Sequence, residues 1–252
     1  MESHGVCGIR QGVASGILVS VISLCITVGP SHASLQNPGF EASPPLIHWD
    51  GFETNVTQVD SSFGVNVPEE TYQALISTEE GSPGASPKIT ADIEGFLGLN
   101  AGDLDALSTN YTVEGSVMKQ TFWGAHGTQI NFLWNFLTNE ISGDPSFNDL
   151  AFYSLETPSS GPTAALLADT LSPLIGSNSP FALQTSYNHL SIPLLGGTGL
   201  YTIGFGVLHV GDDQIHSALA VDAVPEPSSL ALLASGLAGL GYWRRKRAME
   251  VV

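Results

Sequence analysis

The chain has 252 residues and carries seven Lys and Arg against 24 Asp and Glu, a formal net charge of −17 at pH 7. Five of the seven cations lie near the ends, so the stretch from Ser34 to Val224 holds two lysines, Lys88 and Lys119, against twenty-one carboxylates, a net −19. That balance excludes nucleic acid as a partner, because phosphate binding needs Lys and Arg to displace counterions.

At the N-terminus, Arg10 precedes an apolar segment from Val13 to Val28, and Ser31-His32-Ala33 supplies a small-x-small cleavage pattern. Residues 1–33 therefore read as a secretory signal helix, handled by the Sec translocon and signal peptidase, with Ser34 as the first mature residue. A membrane helix is the competing reading of the same run; Pro30 and the small residues after it favour cleavage. Both cysteines, Cys7 and Cys25, fall inside this segment, so the mature chain has no thiol for a disulfide, a zinc site or a nucleophile. Stability must come from a core, and a domain of this size buries roughly 70% of its unfolded surface without staples.

From residue 34 onward the predicted elements are mostly strands. Asn55 to Ser61, Thr71 to Ser77, Ser116 to Phe122, Gln129 to Leu137, Leu150 to Leu155, Gln184 to Leu194, Leu200 to His209 and Ser217 to Val224 are runs of apolar and β-branched residues separated by Gly, Pro, Asn and Asp. Between Gln129 and Leu137, Ile130, Phe132, Trp134 and Phe136 share one face while Gln129, Asn131 and Asn135 share the other. That is the alternation of a half-buried antiparallel strand, and it places Trp134 in the core. Ile89, Ile93, Phe96 and Leu97 recur at helical spacing, so Pro87 to Leu107 reads as a helical insertion. Glu79 to Pro87, rich in Gly, Ser and Pro, reads as the flexible loop. The fold class expected is mainly β: one antiparallel β-sandwich, jelly-roll-like, over residues 34–223.

Three sets of side chains draw chemical interest. His209-Val210-Gly211-Asp212-Asp213-Gln214-Ile215-His216 holds two histidines and two carboxylates, enough for a transition-metal site or an acid–base pair, although Gly-Asp-Asp after a strand reads first as a polar hairpin turn. Asn139, Glu140, Asn148 and Asp149 are oxygen donors that suit calcium, or else Asx turns at strand ends. Trp49 and Trp123 offer broad faces for stacking on sugars, with a core or rim position as the alternative for Trp49. No Gly-x-Ser-x-Gly, His-Glu-x-x-His or phosphate-loop pattern occurs, so the sequence assigns no catalytic residue.

The last residues run Val224-Pro225-Glu226-Pro227, an apolar stretch from Leu230 to Trp243, then Arg244-Arg245-Lys246-Arg247. A helix over 229–243 reaches about 23 Å at about 1.5 Å per residue, short of a ~30 Å hydrocarbon core. Cations held on the cytoplasmic side leave everything N-terminal to the run outside. This order resembles the PEP-CTERM sorting signal of exopolysaccharide-producing bacteria over residues 224–252. The resemblance implies an exosortase, a membrane transpeptidase-like enzyme, cutting near Pro225 to Pro227. It also implies an inner-membrane intermediate followed by the cell surface or extracellular space of a Gram-negative-type bacterium.

A second resemblance rests on Asn37-Pro38-Gly39-Phe40-Glu41, on Trp49 and on Ala220-Val221-Asp222-Ala223-Val224. These look like the first and last strands of galactose-binding-like jelly rolls, including many carbohydrate-binding modules. In that fold the terminal strands are neighbours and often share a structural calcium ion, for which Glu41 and Asp222 are the matching ligands here. The family's last strand frequently carries two consecutive acids, whereas this chain has Asp222-Ala223. Together the readings give a non-catalytic exported surface or matrix protein associated with exopolysaccharide; a secreted hydrolase acting on matrix polysaccharide or protein, through His209 and His216, is the alternative.

Overall fold

The structure is a computed structural model that describes residues 33–52, 54–79, 86–141 and 143–224. The expected signal helix, most of the 79–87 loop and the sorting tail from residue 225 onward, including its 229–243 helix, lie outside the described residues. Among the described residues no helix is long and apolar enough to cross a membrane.

In chain order the strands are β1 (Val56–Asp60), β2 (Tyr72–Ser77), β3 (Lys88–Ile89), β4 (Thr112–Gly124), β5 (Gln129–Thr138), β6 (Leu150–Thr157) and β7 (Ser160–Asp169). They continue with β8 (Ile175–Gly176), β9 (Leu183–Gln184), β10 (Asn188–Pro193), β11 (Gly199–Val210) and β12 (Ser217–Ala223), and one helix, α1 (Thr90–Leu97), follows β3. They form two antiparallel sheets, one ordered β1-β2-β12-β5-β9-β8 with β10 also on β5, the other β3-β4-β11-β6-β7. The β-sandwich expected from the sequence is the architecture observed.

The main core lies between the sheets. Ile130, Phe132, Trp134 and Phe136 of β5 face Tyr201, Ile203, Phe205 and Val207 of β11, with Met118 and Phe122 of β4 and Leu219 and Val221 of β12 completing the layer. Phe132 meets Phe205 edge-on at 4.8 Å between ring centroids, an arrangement that aligns the positive ring edge with the negative face. Trp49 lies 6.4 Å from Phe205 and 5.3 Å from Phe40, and its Nε1 donates to the Asn37 carbonyl at 3.1 Å.

The two outer faces are partly covered as well. On the five-stranded sheet, Ile93 and Leu97 of α1, with Leu99 and Leu104, pack on Val117, Leu150, Phe152 and Leu208. The helix can approach because β11 presents glycine there: a Cβ at Gly204 would stand 2.8 Å from Leu97 Cδ2. The helical segment is shorter than the expected 87–107 insertion, since Lys88–Ile89 pairs with β4 and Gly98, at φ 75°, ends the helix in the left-handed region. On the seven-stranded sheet, Val65 and Phe181 cover Leu75, Leu137, Ala218 and Ala220. The expected polar face of β5 is buried only at its Asn135 end, Gln129 staying exposed and Asn131 half-buried; Asn135, with no exposed surface, donates to Gln184 Oε1 at 2.7 Å and accepts from Thr185 Oγ1 at 3.2 Å.

Three further expectations are corrected. Gln184 to Leu194 is two strands, because Ser186 at φ 62° breaks the extended run. Asn37 to Glu41 is a bent segment with Asn37 and Phe40 at positive φ, where the resemblance called for a strand. The segment 211–216 is not a hairpin turn: β11 and β12 belong to different sheets, so it carries the chain across the sandwich.

Truncating the residue at the centre of this core leaves a cavity under both sheets. Phe205→Ala is expected to lower unfolding free energy by about 3–5 kcal/mol, read from the urea midpoint. An unchanged midpoint would contradict the packing described here.

Candidate functional site

Three places gather the polar and aromatic residues that the sequence singled out. The first is the open half of the outer face of the five-stranded sheet, beyond α1. Trp123 on β4 stands directly opposite Leu200 on β11, and the two are 42% and 61% exposed. The next outward pair is Thr121 and Thr202, whose hydroxyls lie 3.0 Å apart, and Glu156 of β6 follows in register with Thr202. Ser34 holds the strand end, its N–H donating to the Trp123 carbonyl at 2.8 Å while its Oγ accepts from the Trp123 N–H at 3.0 Å. The result is an apolar plane beside hydroxyls and a carboxylate, fixed on a rigid ladder. Trp49, the other tryptophan expected to stack on sugar, is 8% exposed and packed among Phe40 and Phe205. Its indole faces are used by the core, which corrects that assignment.

The second place joins the two termini. Glu41 Oε1 accepts from the backbone N–H groups of Thr71 at 2.8 Å and Tyr72 at 2.6 Å, and Asp222 Oδ2 accepts from the Glu69 N–H at 3.1 Å. Both acids thus fasten onto the same 69–72 segment, which brings them into one neighbourhood as the jelly-roll resemblance implied. Asp222 has no exposed surface, and its Oδ1 lacks any hydrogen-bond partner. Burial pushes its carboxyl up to about 7, with the charges of Glu69 and Glu41 adding to the effect and backbone N–H groups opposing it.

The third place is the end of the sandwich where β12 begins. Asp149 accepts from His209 Nδ1 at 3.1 Å, from the Val210 N–H at 3.1 Å and from Ser217 Oγ at 2.7 Å. Glu140 Oε2 accepts from the Asp149 N–H at 3.4 Å, and its carboxyl is pushed up to about 7 by burial and by the charge of Asp149. Of the four residues expected as a calcium cluster, Glu140 and Asp149 come together, whereas Asn139 accepts from the Ala182 N–H at 2.8 Å and Asn148 binds Asp169 and Thr170. With the Asp149 oxygens already taken by protein donors, these four do not form the cluster the sequence suggested. Among the described residues no group of three or more His, Cys, Asp and Glu side chains is placed to hold a metal ion.

His209 closes the expected Leu200–His209 strand and opens the histidine segment, and on β11 it continues the inward phase of Tyr201, Ile203, Phe205 and Val207. A histidine at a core position of an alternating strand is the signal that points to a buried polar pair. Its ring is 1% exposed; burial depresses its basicity, but the hydrogen bond and charge of Asp149, then the charges of Glu114 and Asp212, outweigh this and raise it.

At the far end of β12, Val224 donates its N–H to the Asn131 carbonyl at 3.1 Å, and Pro225 then has no N–H with which to extend the ladder. Residues 223–246 match the PEP-CTERM protein-sorting motif. The PEP-CTERM motif thus covers Val224, Pro225, Glu226, Pro227, Arg244, Arg245 and Lys246, with Arg247 immediately after it. It marks an exported, exosortase-targeted surface protein. No curated protein matches the chain. Among solved structures, TmCBM61 in complex with β-1,4-galactotriose is 12% identical, with 78% of this chain and 100% of that chain covered at a TM-score of 0.40. The K3 cleaved adhesin domain of Lys-gingipain from Porphyromonas gingivalis W83 is 10% identical, with 76% and 97% covered at 0.31. The β-sandwich assignment for this chain stands on its own two sheets.

Glu140 makes stability depend on pH with a defined sign. Its folded carboxyl titrates at about 7 against an ordinary 4.5, so between these values the native state holds a proton that the unfolded chain releases. Its contribution is full below about 4.5 and is lost as pH rises through 7. Glu140→Gln is expected to flatten the decline of melting temperature over that window in a calorimetric pH series; an unaltered slope would remove Glu140 from the account.

Proposed function

We propose that this is a non-catalytic surface protein whose sandwich binds neutral polysaccharide of the extracellular matrix, with a structural calcium ion at Glu41 and Asp222. The observation that carries the reading is the exposed Trp123–Leu200 pair beside the Thr121–Thr202 hydroxyls. Sugar rings present axial C–H groups to an aromatic face and hydroxyls to nearby donors and acceptors, and this platform supplies both. The net −19 between Ser34 and Val224 favours an uncharged glycan over an anionic one, which it repels. Export through the N-terminal signal followed by handling of the sorting tail would bring the platform to the compartment where such polymers accumulate.

The alternative, a secreted hydrolase working through His209 and His216, would need a nucleophile; Ser217 and Asp149 lie beside His209, and the hydrogen bonds weigh against a serine nucleophile there. A nucleophilic serine needs its hydroxyl bonded to the histidine that takes its proton. Here Ser217 Oγ is directed to Asp149 Oδ2 at 2.7 Å and to Thr138 Oγ1 at 2.8 Å. Ser217 itself has no exposed surface.

Binding is tested by affinity electrophoresis in gels cast with neutral or with anionic polysaccharide. Retardation in the neutral gel, at least tenfold weaker in Trp123→Ala, is expected. Because Trp123 is exposed, that variant should unfold within about 0.5 kcal/mol of the parent. Equal retardation of parent and variant would reject the platform.

For calcium, the fitting observation is the buried, unpartnered Asp222 Oδ1 beside the Glu41 carboxylate. Hard carboxylate and carbonyl oxygens are what calcium takes, and a bound ion would keep Asp222 ionised. At calcium about a hundredfold above its Kd the protein is expected to gain about 2.7 kcal/mol over the chelated form. Asp222→Asn should abolish that difference. A melting temperature indifferent to calcium and chelator in the parent protein would exclude the ion.

A further inference from the structure

His209 and His216 bracket the connection that crosses between the sheets, and their rings face one another with centroids 5.8 Å apart at 51°. The Asp149 carboxylate accepts from His209 Nδ1, so in the neutral ring the proton sits on Nδ1 and Nε2 carries the lone pair. That Nε2 is buried and has no partner. Nδ1 of His216 is buried and has no partner either. A single orphaned ring nitrogen is unfavourable, and two on adjacent imidazoles call for a common ligand.

Two imidazoles sharing one tetrahedral ion, with nitrogen–metal distances of about 2.0–2.1 Å, hold their ring centroids roughly 5–6 Å apart. The observed spacing falls in that interval. A carboxylate behind the distal nitrogen of a ligating histidine fixes its tautomer and direction and raises its basicity. Asp149 is itself anchored for that task by the Val210 N–H and Ser217 Oγ.

Access comes from a cleft of about 450 Å³ lined by Thr78, Glu79, Glu114, Asp213 and His216. Its carboxylates draw cations toward the histidine pair. Glu114 is turned there by an irregularity in the ladder: Leu208 pairs with Gly115 and Val210 with Thr112, so Val113 and Glu114 both stand against His209. Such a bulge bends the strand and re-aims a side chain.

We propose that His209 Nε2 and His216 Nδ1 form a site for a divalent transition metal of the zinc or copper class, oriented by Asp149 and open to the cleft that Glu79, Glu114 and Asp213 line. Imidazole nitrogen selects such ions over calcium and magnesium. With two protein ligands in place, the other coordination positions belong to water or to a ligand entering from the cleft. This site is separate from the Glu41–Asp222 neighbourhood and does not depend on glycan binding.

The test uses full-length protein in detergent, stripped of metal and titrated with zinc against a chromophoric chelator. Copper-loaded samples are read by electron paramagnetic resonance. One zinc per chain, undisturbed by excess calcium, and a copper signal split by two nitrogens are expected. His216→Gln, at the partly exposed end of the pair, should weaken zinc at least tenfold and leave one nitrogen coupling, while its metal-free melting temperature stays close to the parent's. Asp149→Asn should weaken zinc by roughly ten- to a hundredfold by releasing the orientation of His209. Absence of zinc binding in the micromolar range, an oxygen-only copper signal, or undiminished affinity in His216→Gln would each overturn the proposal.

Discussion

The contact between Phe205 and Phe132 ties the two sheets at their centres, and the rest of the domain is arranged around it. Phe205 sits midway along β11, the middle strand of the five-stranded sheet, and Phe132 on β5, which pairs with β12, β9 and β10 in the other. Trp49 extends the aromatic chain to Phe40, so the irregular N-terminal segment is fastened to the same point. The described residues contain no cysteine, so among them cohesion depends on apolar area withdrawn from water. An intensely acidic chain gains from such a core because it places the carboxylates, with few exceptions, where water can solvate them.

The exceptions show how differently a buried acid can be accommodated. Asp149 receives donors from a histidine, a backbone N–H and a hydroxyl, so its charge is compensated on several sides. Asp222 and Glu140 lack such compensation, and both are driven toward the neutral form. A fourth buried acid, Glu94 of α1, accepts from the Gly102 and Leu104 N–H groups on the far side of the other sheet, whereas these three lie against β12 or its immediate neighbours. This strand, central in its sheet and buried throughout its length, forces every polar group along it to find a partner or a proton.

Strand positions were legible in the sequence wherever one face alternates cleanly, as in β5 and β11, because a period of two is imposed by the pleat. β7 escaped notice because Ser160-Gly161-Pro162 and an alanine-rich continuation lack the β-branched residues that mark strands. As an edge strand it tolerates a proline whose missing N–H would break an interior ladder. Trp49 gave no periodic signal between His48 and Asp50, and only the tertiary approach of Phe40 and Phe205 buries it. Glu41 and Asp222 were paired through family resemblance; the physical link, a shared grip on residues 69–72, needed the third dimension. The Asp149–His209 bond joins residues sixty positions apart, and no local pattern could specify it.

β12 also gives the body a direction. It begins at Ser217, beside Asp149, and ends at Ala223, after which Val224 makes its bond to Asn131 and the chain departs. At roughly 3.3 Å per residue these ends stand about 20 Å apart. Ala33 and Leu35 line the same hollow as Ala223 and Val224, so the first and last of the described residues lie side by side. Any machinery that grips the segment beyond Val224 therefore engages the chain at the end of the domain that bears Trp123, opposite the end that carries the histidine pair.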